Sequence, residues 1–165
     1  IALDAKLKLR KGVDSRIINL EDFFITYKKT VIQQGEFIES IIIPKPNGNQ
    51  QLITHKMSKR YEDDISAVCM AINISSKNNK PESFKIAFGG MSGIPQRSKK
   101  LEDFLLKHWQ NDDIASLSYK VLNEEFSPFT ITKSIFFFSI SDLRLFIIFE
   151  QPDIPTTSPK NSTSS

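Results

Sequence analysis

The sequence has 165 residues, of which 39% are hydrophobic, a length that suffices for one ordinary domain or two small ones. Its 22 basic and 19 acidic residues are interleaved and leave a net charge of only +3, whereas nucleic-acid binders concentrate basic residues on one face. The longest apolar stretch, Ser134 to Phe149, contains Asp142 and Arg144 and is shorter than the roughly 20 apolar residues of a membrane span. We therefore expect no nucleic-acid partner and no membrane span.

Two neighbouring strands are predicted near the start of the chain. Ala5 to Arg10 alternates apolar and basic residues, which is the two-residue period of a strand. Gly12 and the polar residues after it provide turn chemistry, so Arg16 to Leu20 is predicted to return as a second strand.

A second pair of strands is predicted on either side of a turn. Phe37 to Ile43 is rich in β-branched residues and ends at Pro44, which stops strand pairing. Asn47-Gly48 is typical of a hairpin turn, and Leu52 to Met57 is predicted as the returning strand.

Two more strands are predicted in the middle of the chain, over Ser66 to Ile74 and Phe84 to Phe88. Between them, Ser75 to Pro81 consists of turn formers and lysines and is predicted to be a loop. Cys69 is the only cysteine and lies in an apolar run, so we expect a small core residue that forms no disulfide.

After Gly89-Gly90 the apolar residues adopt helical spacing. Ser98 is predicted to cap a first helix, and Asp112 or Asp113 a second one. The apolar faces of these helices consist of Leu101, Phe104, Leu105, His108 and Trp109, then Ile114, Leu117, Val121 and Leu122. Strands followed by helices predict an α+β fold with one mostly antiparallel sheet.

Motifs that would identify a catalytic or metal site are absent from the sequence. It contains no GxGxxG, P-loop, HExxH or nucleophile elbow. Gly89 to Gly93 is glycine-rich and is interpreted as a tight turn where two backbones approach closely. The adjacent acids Glu62, Asp63 and Asp64 are interpreted as an exposed loop, because neighbouring side chains do not point at one target. His55 and His108 are far apart, and no metal site is expected.

Three collinear blocks nevertheless resemble a known family. They are LEDFFITYKKTVIQQGEFIESIIIPKP (Leu20 to Pro46), KMSKRYEDDISAVCMAINI (Lys56 to Ile74) and KIAFGGMSGIPQRSKKLEDFLLKHW (Lys85 to Trp109). Together they resemble the flavoprotein portion of bacterial xanthine dehydrogenases, over roughly Ile1 to Pro128. The sequence motif SKRxEDDIS favours these enzymes over the related CO dehydrogenase and aldehyde oxidase flavoproteins, which remain an alternative.

The resemblance implies a division of the chain into three parts. Residues 1–46 would be the end of an FAD-binding domain of the molybdopterin dehydrogenase type. Residues 47–128 would be a CO-dehydrogenase flavoprotein C-terminal-like domain, a small antiparallel sheet backed by helices. Residues 129–165 would be an aberrant or disordered tail, because the family's final helix has no counterpart there and Gln151 to Ser165 is too polar to form a core. Our hypothesis for this end is a shifted reading frame.

The resemblance also implies an oxidoreductase component. In such enzymes a purine is hydroxylated at a molybdopterin cofactor on a large subunit, and electrons pass through two 2Fe-2S clusters to FAD and then to NAD. The expected partners are therefore a molybdenum-binding large subunit and an iron–sulfur domain, in the cytoplasm. The molybdenum and iron–sulfur groups would lie in other domains or subunits, so this chain holds no catalytic residue and no metal ligand.

Four residues match positions that the family uses beside the flavin. Ile38 matches an apolar position near the ring, Lys56 a lysine at the FAD site, and Arg60 and Asp63 the loop that passes the isoalloxazine. The family's glycine-rich pyrophosphate loop does not occur in this sequence, so the resemblance implies that the FAD site is incomplete in this chain. The isolated chain is therefore expected to be inactive, either as a component that needs its partners or as a non-catalytic remnant.

Overall fold

The computed structural model of the chain describes residues 1–57 and 68–126. Their strands are β1 (Lys6–Lys11), β2 (Asp14–Asn19), β3 (Phe24–Thr26), β4 (Lys29–Thr30), β5 (Phe37–Ile42), β6 (Gln50–Met57), β7 (Val68–Lys77), β8 (Lys80–Gly89) and β9 (Gln96–Arg97). A 3-10 turn spans Leu20–Asp22, and the helices are α1 (Lys99–His108) and α2 (Ile114–Glu125). The described part of the chain is thus α+β, as predicted, but its strands form three antiparallel sheets instead of one.

The first sheet has the strand order β2-β1-β5. The predicted alternation in β1 is confirmed, because Leu7 and Leu9 are buried and pack with Phe23 in a small core. Gly12 has a φ of 58° and allows the two-residue turn into β2, which begins earlier than predicted, at Asp14. We call residues 1–43, with this sheet and the small hairpin of β3 and β4, the amino-terminal unit.

The predicted hairpin between Phe37 to Ile43 and Leu52 to Met57 is wrong. The strand β5 pairs with β1, with Ile38 opposite Leu9, and β6 pairs with β7 from Gln50 to Met57. Asn47-Gly48 therefore connects two sheets. Residues such as Asn and Gly determine only the local turn, whereas the pairing of a strand depends on long-range packing. Here that packing pairs β5 with β1 and β6 with β7.

The second large sheet has the strand order β6-β7-β8-β9. Its central strands are longer than predicted, because the expected loop from Ser75 to Pro81 is mostly strand. The chain reverses within Asn78 and Asn79, whose φ angles are 51° and 58°. Asparagine tolerates this left-handed conformation, which a two-residue hairpin turn requires. We call residues 50–57 and 68–126 the carboxy-terminal unit.

One face of this sheet packs against the two helices and forms the main core. Met70, Ile72 and Ile74 of β7 and Phe84, Ile86 and Phe88 of β8 contact Leu101, Leu105, Ile114 and Leu122. The predicted cap of α1 is confirmed, since the Ser98 hydroxyl accepts a hydrogen bond from the Leu101 N–H at 3.3 Å. Asp113 occupies the N-cap position of α2, but its side chain accepts no capping hydrogen bond. The small antiparallel sheet backed by helices is thereby confirmed.

Cys69 is exposed, which corrects the prediction of a core residue. Its neighbours Val68 and Met70 point into the core, so the strand alternation directs Cys69 to the other face of the sheet. The sequence carries this alternation, because the large apolar residues Val68, Met70 and Ile72 alternate with smaller ones.

No helix in the described ranges is long and apolar enough to cross a membrane. The tail predicted for residues 129–165, including the Ser134 to Phe149 stretch, lies outside the described residues.

Leu105 and Leu106 are neighbours on α1 and provide a matched pair for testing the core. Leu105 is 2% exposed and Leu106 is 40% exposed. Leu105→Ala should lower the free energy of unfolding by about 2–5 kcal/mol, because it leaves a cavity in the core. Leu106→Ala should cost less than about 1 kcal/mol. Urea denaturation followed by far-UV circular dichroism measures both, and equal losses would contradict the packing of α1.

The turn before β5 is fixed by an ion pair that makes stability depend on pH. The Arg16 guanidinium donates to both Glu36 carboxylate oxygens at 2.7 and 2.8 Å, and the Gln33 N–H donates to Glu36 at 2.8 Å. The bonds from Arg16, and then that from Gln33, lower the pKa of Glu36 from 4.5 to about 2. The carboxylate therefore stabilises the fold above about pH 4.5, and this contribution is lost as the pH falls towards 2.

We expect Glu36→Gln to remove that part of the pH dependence. The urea midpoint of the unchanged chain should fall more steeply between pH 5 and pH 2.5 than that of the variant, by an amount set by the depressed pKa. Glu82→Gln, at an exposed position of β8, serves as the control and should follow the unchanged chain. Parallel pH profiles for all three proteins would show that the Arg16–Glu36 pair does not contribute.

Candidate functional site

The face of the β6-β7-β8-β9 sheet that points away from the helices is lined mainly by small side chains. Cross-strand partners share a face, so the register defines its rows directly. The first row contains Leu52, Asn73 and Lys85, the second Thr54, Ala71, Ala87 and Arg97, and the third Lys56, Cys69 and Gly89. In the third row, two small residues lie beside a lysine.

Gly89 leaves space in this third row. A Cβ atom added there would lie 3.8 Å from the Cys69 Cβ, at ordinary contact distance, so the glycine is not required by crowding. Gly90 has a φ of 85° and turns the chain away immediately after the row, in agreement with the tight turn predicted for this segment. The row can therefore receive a flat ligand at the backbone, with the Lys56 cation beside it.

The amino-terminal unit contacts the same face in the first and second rows. In the first row, the Asn73 side-chain N–H donates to the Ala2 carbonyl at 3.2 Å, and Lys85 forms an ion pair with Asp4. In the second row, Arg97 approaches Asp4 and Glu21, so the adjacent Lys56–Cys69–Gly89 row lies close to the boundary between the two units. Ligand sites occur preferentially at such boundaries.

Arg97 brings further charges to this boundary. Its Nη1 atom lies 3.9 Å from Asp4 Oδ1 and 3.9 Å from Glu21 Oε2, and Lys99 lies 3.6 Å from Glu21. The segment after Gly90 also reaches the amino-terminal unit, because a Cβ at Gly93 would lie 3.9 Å from the Tyr27 Cβ.

Glu102 holds the Arg97 side chain in place. The guanidinium donates to Glu102 Oε1 at 2.8 Å and to Oε2 at 2.6 Å, and the Ile86 N–H donates to Oε1 at 2.8 Å. Glu102 is 8% exposed and the Arg97 side chain 16% exposed. The hydrogen bond to Glu102, more than any other contact, raises the pKa of the Arg97 guanidinium.

Sequence reasoning missed this Arg97–Glu102 pair. One signal was present, because Glu102 follows Leu101 directly on the buried side of α1, where a carboxylate requires a partner. The partner itself could not be identified from spacing alone.

The four residues predicted to lie beside a flavin fall in different parts of the fold. Ile38 lies on β5 opposite Leu9 and is 42% exposed, so its side chain is open to a ligand. Lys56 is exposed on β6 opposite Cys69, in the other unit. Arg60 and Asp63 lie outside the described residues, between the paired ends of β6 and β7 at Met57 and Val68.

The described residues also form a polar cleft away from the Lys56–Cys69–Gly89 row. An open polar cleft lies at the opposite end of the sheet from Lys56, lined by Gly48, Asn49, Gln50, Gln51, Ser76, Lys77, Asn78 and Asn79. Within residues 1–57 and 68–126, histidine, cysteine and acidic side chains nowhere form a group of three that could hold a metal ion.

Two family models match consecutive parts of the chain. Residues 1–46 match the FAD binding domain in molybdopterin dehydrogenase, and residues 53–134 match the CO dehydrogenase flavoprotein C-terminal domain. The second match extends past the described residues into the segment predicted to be aberrant.

Individual proteins agree with these matches. Xanthine dehydrogenase from Calliphora vicina is 31% identical over 64% of this chain and 8% of its own length. Nicotinate hydroxylase from Emericella nidulans is 27% identical over 79% of this chain and 10% of its own length. The chain therefore spans a tenth or less of these curated relatives.

A solved structure shows the same fold. Carbon monoxide dehydrogenase from Hydrogenophaga pseudoflava, in a form lacking the Mo-pyranopterin moiety of its molybdenum cofactor, superposes with a TM-score of 0.70. The superposition covers 88% of this chain and 51% of that one at 14% identity. The resemblance inferred from the three sequence blocks is thus confirmed, and the chain belongs to the flavoprotein family in which an FAD binding domain of the molybdopterin dehydrogenase type precedes a CO dehydrogenase flavoprotein C-terminal domain.

Proposed function

We propose that the chain forms part of the FAD-binding component of a xanthine dehydrogenase. In this role it passes electrons that arrive through 2Fe-2S clusters to FAD and on to NAD during the oxidation of hypoxanthine or xanthine. The observation that supports a flavin role most strongly is the Lys56–Cys69–Gly89 row, exposed beside the boundary of the two units. The xanthine assignment is supported by the 31% identical relative and by the SKRxEDDIS segment.

Bound FAD would supply a two-electron carrier that accepts electrons singly or in pairs and delivers a hydride to a nicotinamide. The residues of this chain would bind and orient its ring. Gly89 and Cys69 allow the ring to approach the backbone of the sheet, and the half-exposed Ile38 offers an apolar contact from the amino-terminal unit. The Lys56 ammonium would stabilise negative charge on the ring.

Arg60 and Asp63 complete the proposed site in the segment between β6 and β7. An arginine and an aspartate there would act on the ring with opposite signs, the first favouring and the second opposing negative charge. Both residues are proposed on the family resemblance.

The proposed partners are a molybdenum-binding large subunit, which oxidises the purine, and an iron–sulfur domain, which conducts the electrons. NAD is the proposed final acceptor and the cytoplasm the proposed location. These proposals rest on the resemblance of the chain to the flavoprotein portion of xanthine dehydrogenases.

Gly89→Val and Lys56→Met test the proposed flavin site directly. We expect the unchanged chain to quench FAD fluorescence in a saturable manner and to retain flavin absorbance bands when mixed with FAD. Gly89→Val fills the space in the row and should weaken binding at least about tenfold, which corresponds to about 1.4 kcal/mol. Lys56→Met removes an exposed cation and should weaken binding by up to about fivefold, which corresponds to about 1 kcal/mol.

Gly48→Val and Lys77→Met are the matched controls. Both residues line the polar cleft at the other end of the sheet, and a Cβ at Gly48 meets no atom within 4 Å. These two variants should bind FAD like the unchanged chain, and all proteins should share one urea midpoint. Saturable binding that only the Gly48 and Lys77 variants lose would place the flavin in that cleft. No saturable binding by the unchanged chain would contradict a flavin site formed by this chain alone.

A further inference from the structure

The two units of the chain have separate hydrophobic cores. Leu7, Leu9 and Phe23 form one, and the residues between the four-stranded sheet and the helices form the other, with no member in common. The contacts described across the boundary include a hydrogen bond between Asn73 and Ala2 and several ion pairs. These directional contacts can fix how the described parts of the units sit together.

These contacts centre on five charged side chains, which we call the boundary charge cluster: Asp4, Glu21, Lys85, Arg97 and Lys99. Two acids come from the amino-terminal unit and three cations from the carboxy-terminal unit, so the charges are complementary. Asp4 contacts both Lys85 and Arg97, and Glu21 contacts both Arg97 and Lys99. Because Glu102 fixes Arg97, the cluster is built around one immobilised cation.

Each ion pair alone is partly exposed and would be worth little, typically about 0–1 kcal/mol. The boundary charge cluster is instead significant because it lies close to the proposed flavin site. Arg97 belongs to the row next to the Lys56–Cys69–Gly89 row, and Lys85 belongs to the row beyond it. Asp4 precedes β1, the strand that pairs with Ile38.

We infer that Asp4, Glu21, Lys85 and Arg97 are positioning residues, which hold the Ile38 half and the Lys56 half of the flavin site in register across the boundary. This inference rests on the proposed function for the flavin itself. It assigns to the cluster a role separate from packing within either unit, because the core of each unit consists of that unit's own residues.

The test is a charge swap between Asp4 and Lys85. Asp4→Lys and Lys85→Asp each place like charges together at the boundary, whereas the double variant restores an opposite pair with unchanged net charge. Lys80→Asp, at an exposed position at the far end of β8, is the control for a reversed charge alone. Two quantities are measured on the full chain: hydrogen exchange of residues 1–5 and 91–95, and the dissociation constant of FAD.

We expect each single reversal to accelerate exchange in both segments and to weaken FAD binding at least about tenfold. The double variant should recover at least half of both losses on a logarithmic scale, and exchange in α1 should stay unchanged throughout.

Losses that simply add in the double variant would overturn the inference. Faster exchange with unchanged FAD affinity would overturn the positioning role while leaving the contact intact. If the unchanged chain bound no FAD, the proposed function and the positioning role would fail together, and the exchange data would still decide whether the cluster joins the units.

Discussion

The buried Glu102 carboxylate joins the first helix of the carboxy-terminal unit to its sheet. It accepts two hydrogen bonds from Arg97 and one from the Ile86 backbone, and so connects α1, β8 and β9. A buried carboxylate without these donors would carry a large desolvation cost, so the arrangement permits little variation. The same pairing leaves Arg97 Nη1 facing Asp4 and Glu21. Arg97 therefore connects the buried Glu102 to the boundary between the units.

Local patterns in the sequence predicted the elements that local chemistry determines. The alternation of Ala5 to Arg10 predicted β1, and the β-branched run that ends at Pro44 predicted β5. Ser98 predicted the cap of α1. The pairing of β5 and β6 was mistaken because the choice of strand partner depends on contacts far apart in sequence. The turn at Asn78 and Asn79 was hidden in a polar stretch, since asparagine favours both loops and left-handed hairpin turns.

The candidate site was predictable only in part, for the same reason. Ile38 and Lys56 were assigned by resemblance, but their surroundings follow from register, which places Lys56 beside Cys69 and Gly89. The exposure of Cys69 was misjudged although Val68, Met70 and Ile72 alternate with smaller residues, whereas the network around Arg97 had no periodic signal in the sequence. The proposed site combines residues of two sheets, so it depends on how the strands pair. None of its residue types would by itself indicate a flavin site.

We propose that a flavin ring binds where the two units meet, and a structure of the chain determined with FAD bound would test this proposal. We expect the ring within about 4 Å of Gly89 and Cys69, with Lys56 beside it and Ile38 contacting it from the other unit. A ring bound within one unit alone, or in the cleft between Gly48 and Asn79, would contradict the proposal.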